Sequence, residues 1–262
     1  MDKAASPALS PEQRRRFDDR GLVRLPGLVS QRASAEMADR LWAEMTRKDG
    51  VQRKAPATWT VERPAHFKNL QDTGAFKAMG SPGVRAALDD LMGAGRWAEP
   101  ATWGLPLVCF PGGRRVWDVP FQSWHLDGPA DPGPALVGRV FLILEPLRPQ
   151  GGGTLVALGS HRLARRLAEK ARKQFSSGEI RKRLAAEHPW FAALMAPSPP
   201  GEARTDRFMR PTQVGGIECE VAEMTGDPGD VWLMHPNILH AGAPNVLDRP
   251  RLALTQFVMP KG

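Results

Sequence analysis

Apolar positions keep a helical period through the first ninety-odd residues of this chain and a strand period after that. Ser10-Pro11-Glu12 has the form of an N-cap followed by a first-turn proline, and predicts a helix that runs to Gly21. Met37, Leu41, Trp42 and Met45 fall at i, i+4, i+5 and i+8, one apolar stripe on a second helix that stops near Gly50. Ser81-Pro82 opens a third, with Val84, Leu88, Leu91 and Met92 on its inner face and Gly93 as its stop. From about Leu105, short β-rich runs alternate with Gly/Pro punctuation, at 105–110, 121–125, 136–144, 153–158, 217–221, 230–235 and 252–258. Seven such runs predict an antiparallel sandwich or barrel. Helical spacing returns between the fourth and fifth runs, at Leu163, Leu167 and Ala171 and then at Ile180 and Leu184, before a Pro-rich exit at 197–201. An insert of this length inside a barrel is usually a lid or wall over the mouth.

Composition narrows the function classes. With 42% hydrophobic and 24% charged residues the chain has enough apolar material for one substantial core. Its longest apolar run is far short of the ~20 residues of a membrane helix. Behind the early charges there is no apolar stretch of the signal-peptide kind, so a cytoplasmic location is expected. Two cysteines, Cys109 and Cys219, cannot make a disulfide framework and are expected as buried thiols. The net charge of +8 is concentrated, because residues 161–215 hold twelve Lys and Arg against five acids. Such a stretch is ordinarily a solvated amphipathic helix pair. Its functional reading is a rim that attracts an anionic substrate such as a phosphate, carboxylate or CoA thioester. A nucleic-acid site would need aromatic stacking platforms among the basic residues. Phe175, the one aromatic between His161 and Gly178, is spaced with Leu163 and Leu167 as core, so no nucleic-acid partner is expected.

The chemistry concentrates at Trp124-His125-Leu126-Asp127-Gly128. On an extended strand His125 and Asp127 leave the same face and can converge on one ion. The best third ligand is His240; His235, an odd number of residues earlier, would face away on a continuous strand. Two imidazoles and one carboxylate make the facial triad of non-haem Fe(II) oxygenases, with coordination positions left for a chelating co-substrate and O2. Zinc would bind the same set but has no redox chemistry. Taken separately, His125 reads as a satisfied strand histidine and Asp127 as a turn former ahead of Gly128-Pro129, and an H-x-D with a distant histidine is common by chance. Arg251 changes the balance. It opens the last β-rich run, where its planar fork can face the same cavity and clamp a remote carboxylate better than a lysine could. Its neighbour Arg249, before Pro250, reads as turn surface.

Four segments together carry a resemblance: Phe17-Asp18-Asp19-Arg20-Gly21-Leu22-Val23-Arg24-Leu25-Pro26-Gly27; Trp124-His125-Leu126-Asp127; Gly152-Gly153-Thr154 through Gly159-Ser160-His161-Arg162; and Gly229-Asp230-Val231-Trp232 through His240 and Asn245 to Arg251. The chain resembles the phytanoyl-CoA dioxygenase family of Fe(II)/2-oxoglutarate-dependent oxygenases. The resemblance implies a mainly β fold, a double-stranded β-helix (jelly roll, cupin-like), with N-terminal helices packed on it and a helical insert between core strands. Residues 1–262 would then form one domain: 1–100 as helical support, 105–160 and 216–260 as the core, and 161–215 as the insert. It also implies His125, Asp127 and His240 as iron ligands and Arg251 as the anchor for the far carboxylate of 2-oxoglutarate, with O2 as the oxidant. The implied reaction is hydroxylation of a small organic substrate with release of succinate and CO2; desaturation, ring formation and epimerisation stay open. Halogenation is disfavoured, since Asp127 fills the position a halide would need.

One departure is visible. Relatives often carry a hydroxyl residue two places after the distal histidine, where this chain has Gly242, so Thr154 is a candidate to supply that hydrogen bond. Gln122, Trp124 and Lys68 are candidate substrate contacts, against plainer roles for Trp124 in packing and for Lys68 at the surface. His161, in its Gly-Ser-His-Arg turn, is expected to hydrogen-bond the backbone, and His66 and His188 have no partner pattern. The rival readings are a cupin-like protein that binds Zn(II) or Ni(II) at the same ligands without turnover, and a basic nucleic-acid-binding module. A small-molecule partner and no membrane are expected, and oligomeric state is not legible.

Overall fold

The structure is a computed structural model that describes residues 9–113, 116–131, 138–199 and 201–261. The three N-terminal helices form where the sequence predicts. Helix α1 (Pro11–Arg20) opens with a reciprocal cap, the Ser10 hydroxyl accepting from the Gln13 N–H and the Gln13 side chain from the Ser10 N–H. It ends on Gly21 at φ 75° and leads into strand β1 (Leu22–Leu25). Helix α2 (Gln31–Asp49) buries Met37, Leu41, Trp42 and Met45 and stops at Gly50. A short α3 (Lys68–Asp72) comes next, and α4 (Pro82–Met92) follows its Ser81 cap.

Strands β2 (Leu105–Cys109), β3 (Gly138–Ile143) and β4 (Thr154–Leu158) come next. The start of the run expected at 136–144 lies outside the described residues. The insert folds as α5 (Ser160–Ala171), α6 (Ser177–Glu187), α7 (Pro189–Leu194) and α8 (Arg204–Phe208). It is followed by β5 (Thr212–Val214), β6 (Ile217–Glu223), β7 (Val231–Met234), β8 (His240–Gly242) and β9 (Arg251–Val258). All pairings are antiparallel, in a five-stranded sheet of order β1-β7-β3-β9-β2 and a four-stranded sheet of order β5-β6-β4-β8. No described helix is long and apolar enough to cross a membrane.

Period-two alternation sorts the side chains into three layers of core. From the larger sheet Val140, Leu142, Leu233, Leu252 and Leu254 pack against α2 and α4. From the smaller sheet Leu155, Ala157 and Ala241 pack against the insert helices. The alternate residues, among them Phe141, Val156, Leu158 and Met234, meet between the sheets. Both cysteines are free and buried, and Phe175 is fully buried in the insert core.

Two polar devices fasten the irregular chain around this frame. His161, in the first turn of α5, places Nε2 3.0 Å from the Asp18 carbonyl, so Nε2 carries the proton and Nδ1 lies buried without a partner. Its ring stacks on His235 at 4.7 Å and packs so closely over Gly21 that a Cβ there would sit 2.6 Å from Nδ1. Burial holds His161 down to about 4 and His235 down to about 3. The second device is Arg204, almost fully buried. Its guanidinium donates to the carbonyls of Val119 and Leu194 at 2.6 Å and of Ala196 at 2.9 Å, and to the Ser198 hydroxyl at 3.0 Å. In return Asp118 accepts from the Arg204 and Thr205 N–H groups at 3.1 and 2.6 Å. This exchange ties the insert to the segment that leads into His125.

Arg204→Met strands several buried carbonyls and should cost about 3 kcal/mol in urea unfolding, whereas a loss below about 0.5 kcal/mol would deny the latch. The neutral His161 and His235 set an acid limit. Below about pH 6.5 the unfolded chain binds protons that these buried rings refuse, so stability falls as pH drops from there toward 4. For His161 alone the loss is on the order of 3 kcal/mol, and His161→Asn should flatten that part of the stability profile.

Candidate metal centre

Strand alternation carries several polar side chains into the space between the sheets. On β8, His240 and Gly242 face inward while Ala241 faces the insert; across the ladder Val156 pairs with His240 and Thr154 with Gly242. On β9, Arg251 shares the inward parity of Ala253 and Thr255, and on β3 Arg139 shares that of Phe141. Each is polar on a strand whose other inward positions are small or apolar.

His125 and Asp127 arrive differently from the sequence expectation. Residues 121–125 do not form a strand. Ser123 has φ 66°, a left-handed conformation that breaks a ladder, and Pro120 just upstream has no N–H to donate to one. What survives is a single bridge on the free edge of β8: the His125 N–H donates to the His240 carbonyl at 2.9 Å and the His240 N–H to the His125 carbonyl at 3.0 Å. The two histidines meet because they are cross-strand neighbours, with ring centroids 4.2 Å apart.

Local hydrogen bonds fix both rings. His125 Nδ1 lies 2.8 Å from the Ser123 carbonyl and His240 Nδ1 lies 3.1 Å from the Ile238 carbonyl. A carbonyl only accepts, so each Nδ1 carries a proton and each Nε2 is turned toward Asp127. His125 Nε2 stands 3.7 Å from Asp127 Oδ1 and His240 Nε2 3.4 Å from Oδ2; one ligand atom from each residue lies within 4.8 Å of the others. Burial and the neighbouring His240 ring push His125 below the ordinary imidazole value. Burial works to raise the Asp127 carboxyl, but hydrogen bonding and charge from His240 and then Arg139 outweigh it and hold the group down to about 2. Two imidazole nitrogens and a carboxylate aimed at one point repel unless a cation lies among them, and this donor set fits a divalent transition metal.

Arg139 was not among the sequence candidates. It forms an ion pair with Asp127 Oδ2 and donates through Nε to the Thr255 hydroxyl at 2.9 Å, its guanidinium over the Phe257 ring at 4.5 Å. A signal was present, since Arg139 is the lone charge in the apolar run 136–144.

Arg251 is the second unusual group. Its side chain is buried, 7% exposed, and has neither an ion pair nor a hydrogen bond among the described residues. Glu223 acts on it electrostatically, but that carboxylate is committed to the N–H groups of Gln150 and Gly153, at 2.7 and 2.9 Å. The turn that delivers Arg251 is pinned by Asn245, whose amide donates to the carbonyls of Cys109 and Arg249 at 3.0 and 2.8 Å. A buried guanidinium is costly to leave without an anion, so the site fits a carboxylate ligand.

The remaining candidates divide. Thr154 is buried directly opposite Gly242. Gln122 is exposed beside a cavity of about 260 Å³ that Pro244 also lines. Trp124 is corrected from substrate contact to core: it is 1% exposed, packs with the insert, and donates its indole N–H to the Pro120 carbonyl at 2.8 Å. Lys68 is corrected too, since it lies at the surface in an ion pair with Asp72. His235 is turned to His161 and away from the triad, and Arg249 is exposed beside Asp248. Arg162, Arg165 and Arg166 of the insert line a cleft of about 600 Å³ with α1 and the end of α4, which shares no residue with the triad.

Comparison with known proteins agrees with this architecture. No curated protein sequence matches the chain. Among solved structures, the non-heme alpha ketoglutarate dependent carbocyclase SnoK from nogalamycin biosynthesis is 17% identical with a TM-score of 0.58, covering 98% of this chain and 87% of its own. The non-heme alpha ketoglutarate dependent epimerase SnoN from the same biosynthesis is 17% identical with a TM-score of 0.54, covering 95% and 81%. A second SnoN structure, in complex with Fe3+, alpha ketoglutarate and nogalamycin RO, is 19% identical with a TM-score of 0.53, covering 95% and 82%. At these identities the likeness establishes the fold, the jelly roll expected from the sequence. The pattern of the phytanoyl-CoA dioxygenase family matches residues 17–253, and the chain belongs to that family.

Proposed function

We propose that this protein is an Fe(II)- and 2-oxoglutarate-dependent dioxygenase that oxidises a small organic substrate. The observation that carries the reading is the buried, unneutralised Arg251 in the same inter-sheet space as the His125, Asp127 and His240 donors. A metal-binding protein without turnover would need the three donors but not a buried cation waiting for a carboxylate. The two together match a bifunctional ligand, with a 2-oxo acid group for the metal at one end and a carboxylate for the guanidinium at the other.

In this reading His125, Asp127 and His240 hold ferrous iron, which when bound supplies the redox chemistry with O2 that no side chain here can perform. The rest of the work is positional. Main-chain carbonyls at Ser123 and Ile238 hold both imidazoles by Nδ1 and turn each Nε2 toward the place a metal would take. Arg139 pairs with the carboxylate and holds it turned inward. Arg251 orients the far carboxylate of 2-oxoglutarate, with Thr154 offering a hydroxyl opposite Gly242. Hydroxylation balances as one O2 and one 2-oxoglutarate consumed, with CO2, succinate and one substrate hydroxyl formed. His125 is the ligand on the open side, its side chain 49% exposed, and Gln122 lies three residues before it. The substrate approaches from this side, and its class is a small organic molecule.

Two measurements test the reading. In Fe(II) or Mn(II) titrations, Asp127→Asn and His240→Ala should each lose more than the ~10–100-fold that a supporting hydrogen bond is worth; unchanged loading would overturn the triad. With Fe(II) and O2, the wild type should convert 2-oxoglutarate to succinate. Arg251→Ala should raise the KM for 2-oxoglutarate by roughly 100-fold with metal affinity intact, as expected for truncating one side of a buried charge pair. Metal binding without any succinate would leave the non-catalytic alternative standing.

A further inference from the structure

Gly242 leaves a gap at a place where a side chain would face the triad, and the structure fills that gap from another part of the chain. Gly242 shares the inward face of His240 on β8. A Cβ built there would lie 3.0 Å from Nη1 of Arg63, 3.6 Å from its Nη2 and 3.8 Å from Cζ, so the guanidinium covers the space a residue-242 side chain would take. Arg63 is brought there by its neighbour, because the Phe110 N–H donates to the Glu62 carbonyl at 2.7 Å and fastens this irregular segment to the end of β2. The arginine itself reaches the Ala243 carbonyl at 3.4 Å. Its charge acts on both Arg251 and Cys109, which pair across the β2–β9 ladder. Its nearest carboxylate is its exposed neighbour Glu62, at 3.8 Å.

Arg63 is half exposed, whereas Arg251 is buried, and the charge of one acts on the other, a repulsion that an anion bound by both would relieve. A carboxylate has about four lone-pair sites, and a single fork uses about half of them. We infer that Arg63 is a second anchor for the distal carboxylate of the 2-oxo acid co-substrate, taking the place of the hydroxyl that Gly242 lacks. The inference rests on the assignment of Arg251 as the first anchor. Replacing a neutral hydroxyl by a cation also sets specificity, since the pair favours a 2-oxo acid with a charged tail over one with a neutral tail of similar length. Arg63 is thus a positioning residue for the co-substrate, remote from the bonds that change.

Calorimetric titration of the Mn(II)-loaded protein with 2-oxoglutarate and with 2-oxopentanoate, which lacks the distal carboxylate, tests this without turnover. Arg63→Ala should weaken 2-oxoglutarate about tenfold, the worth of one charge-assisted hydrogen bond, and 2-oxopentanoate less than about twofold. Arg63→Gln, which can keep the contact to the Ala243 carbonyl but loses the charge, should give the same split and guards against a folding defect. Adding Gly242→Ser to Arg63→Ala should recover part of the 2-oxoglutarate affinity, because the serine hydroxyl occupies the vacated space. Unchanged 2-oxoglutarate affinity in both Arg63 variants, or equal weakening of the two acids, would overturn the inference. If Arg251→Ala abolishes 2-oxoglutarate binding while the Arg63 variants do not weaken it, the second anchor alone fails. If Arg251→Ala also has no effect, the co-substrate reading falls with it.

Discussion

Charge that the protein does not neutralise by itself is the constraint on which this structure turns. Between the two sheets, the imidazoles of His125 and His240 have their Nδ1 protons committed to main-chain carbonyls and converge on Asp127. In the same space the buried guanidinium of Arg251 has neither an ion pair nor a hydrogen bond among the described residues. Leaving either group uncompensated in a low-dielectric interior costs several kcal/mol. A stable fold that keeps both is organised around ligands of opposite sign, a cation for the three donors and a carboxylate for the arginine. Arg139 is a partial substitute, since its guanidinium pairs with the Asp127 carboxylate.

The sheets hold this arrangement with little dependence on loop conformation. Strand parity alone sends His240, Gly242, Thr154, Arg139 and Arg251 inward, while their sequence neighbours pack outward on helices. The weaker element is the chain that carries His125 and Asp127, which has one bridge where a full edge strand could have lain. It is compensated at two points. Asp118 and Arg204 lock its start to the insert, and the buried Trp124 fixes its middle. The insert therefore serves the site mechanically, and its basic α5 face lines a different cleft, against α1 and α4.

Much of this was legible in the sequence, for reasons that can be named. Caps at Ser10 and Ser81 and stops at Gly21, Gly50 and Gly93 are local chemistry, and the helices begin and end there. Strand β6 alternates apolar and polar residues, whereas β4 and the first half of β9 are buried throughout and showed as short β-rich runs between Gly and Pro. The pairing of His125 with His240 was reached by an argument that does not hold, because the segment is not extended at Ser123, where a left-handed residue left no mark in the composition. Trp124 and Lys68 were drawn toward the site by sequence proximity and by family likeness, whereas burial and an ion pair take them elsewhere. Arg139 could have been found as a lone charge in an apolar run. Arg63 could not, since its place depends on a single long-range hydrogen bond at Phe110 and on the absence of a side chain at Gly242.

Cation and carboxylate are expected side by side in the space between the two sheets. An anaerobic crystal structure with Mn(II) and 2-oxoglutarate, read by anomalous scattering at the manganese edge, tests this. One strong peak should be ligated by His125, Asp127 and His240, with the far carboxylate of the 2-oxo acid on Arg251. A peak at other side chains, or a 2-oxoglutarate bound away from Arg251, would contradict it.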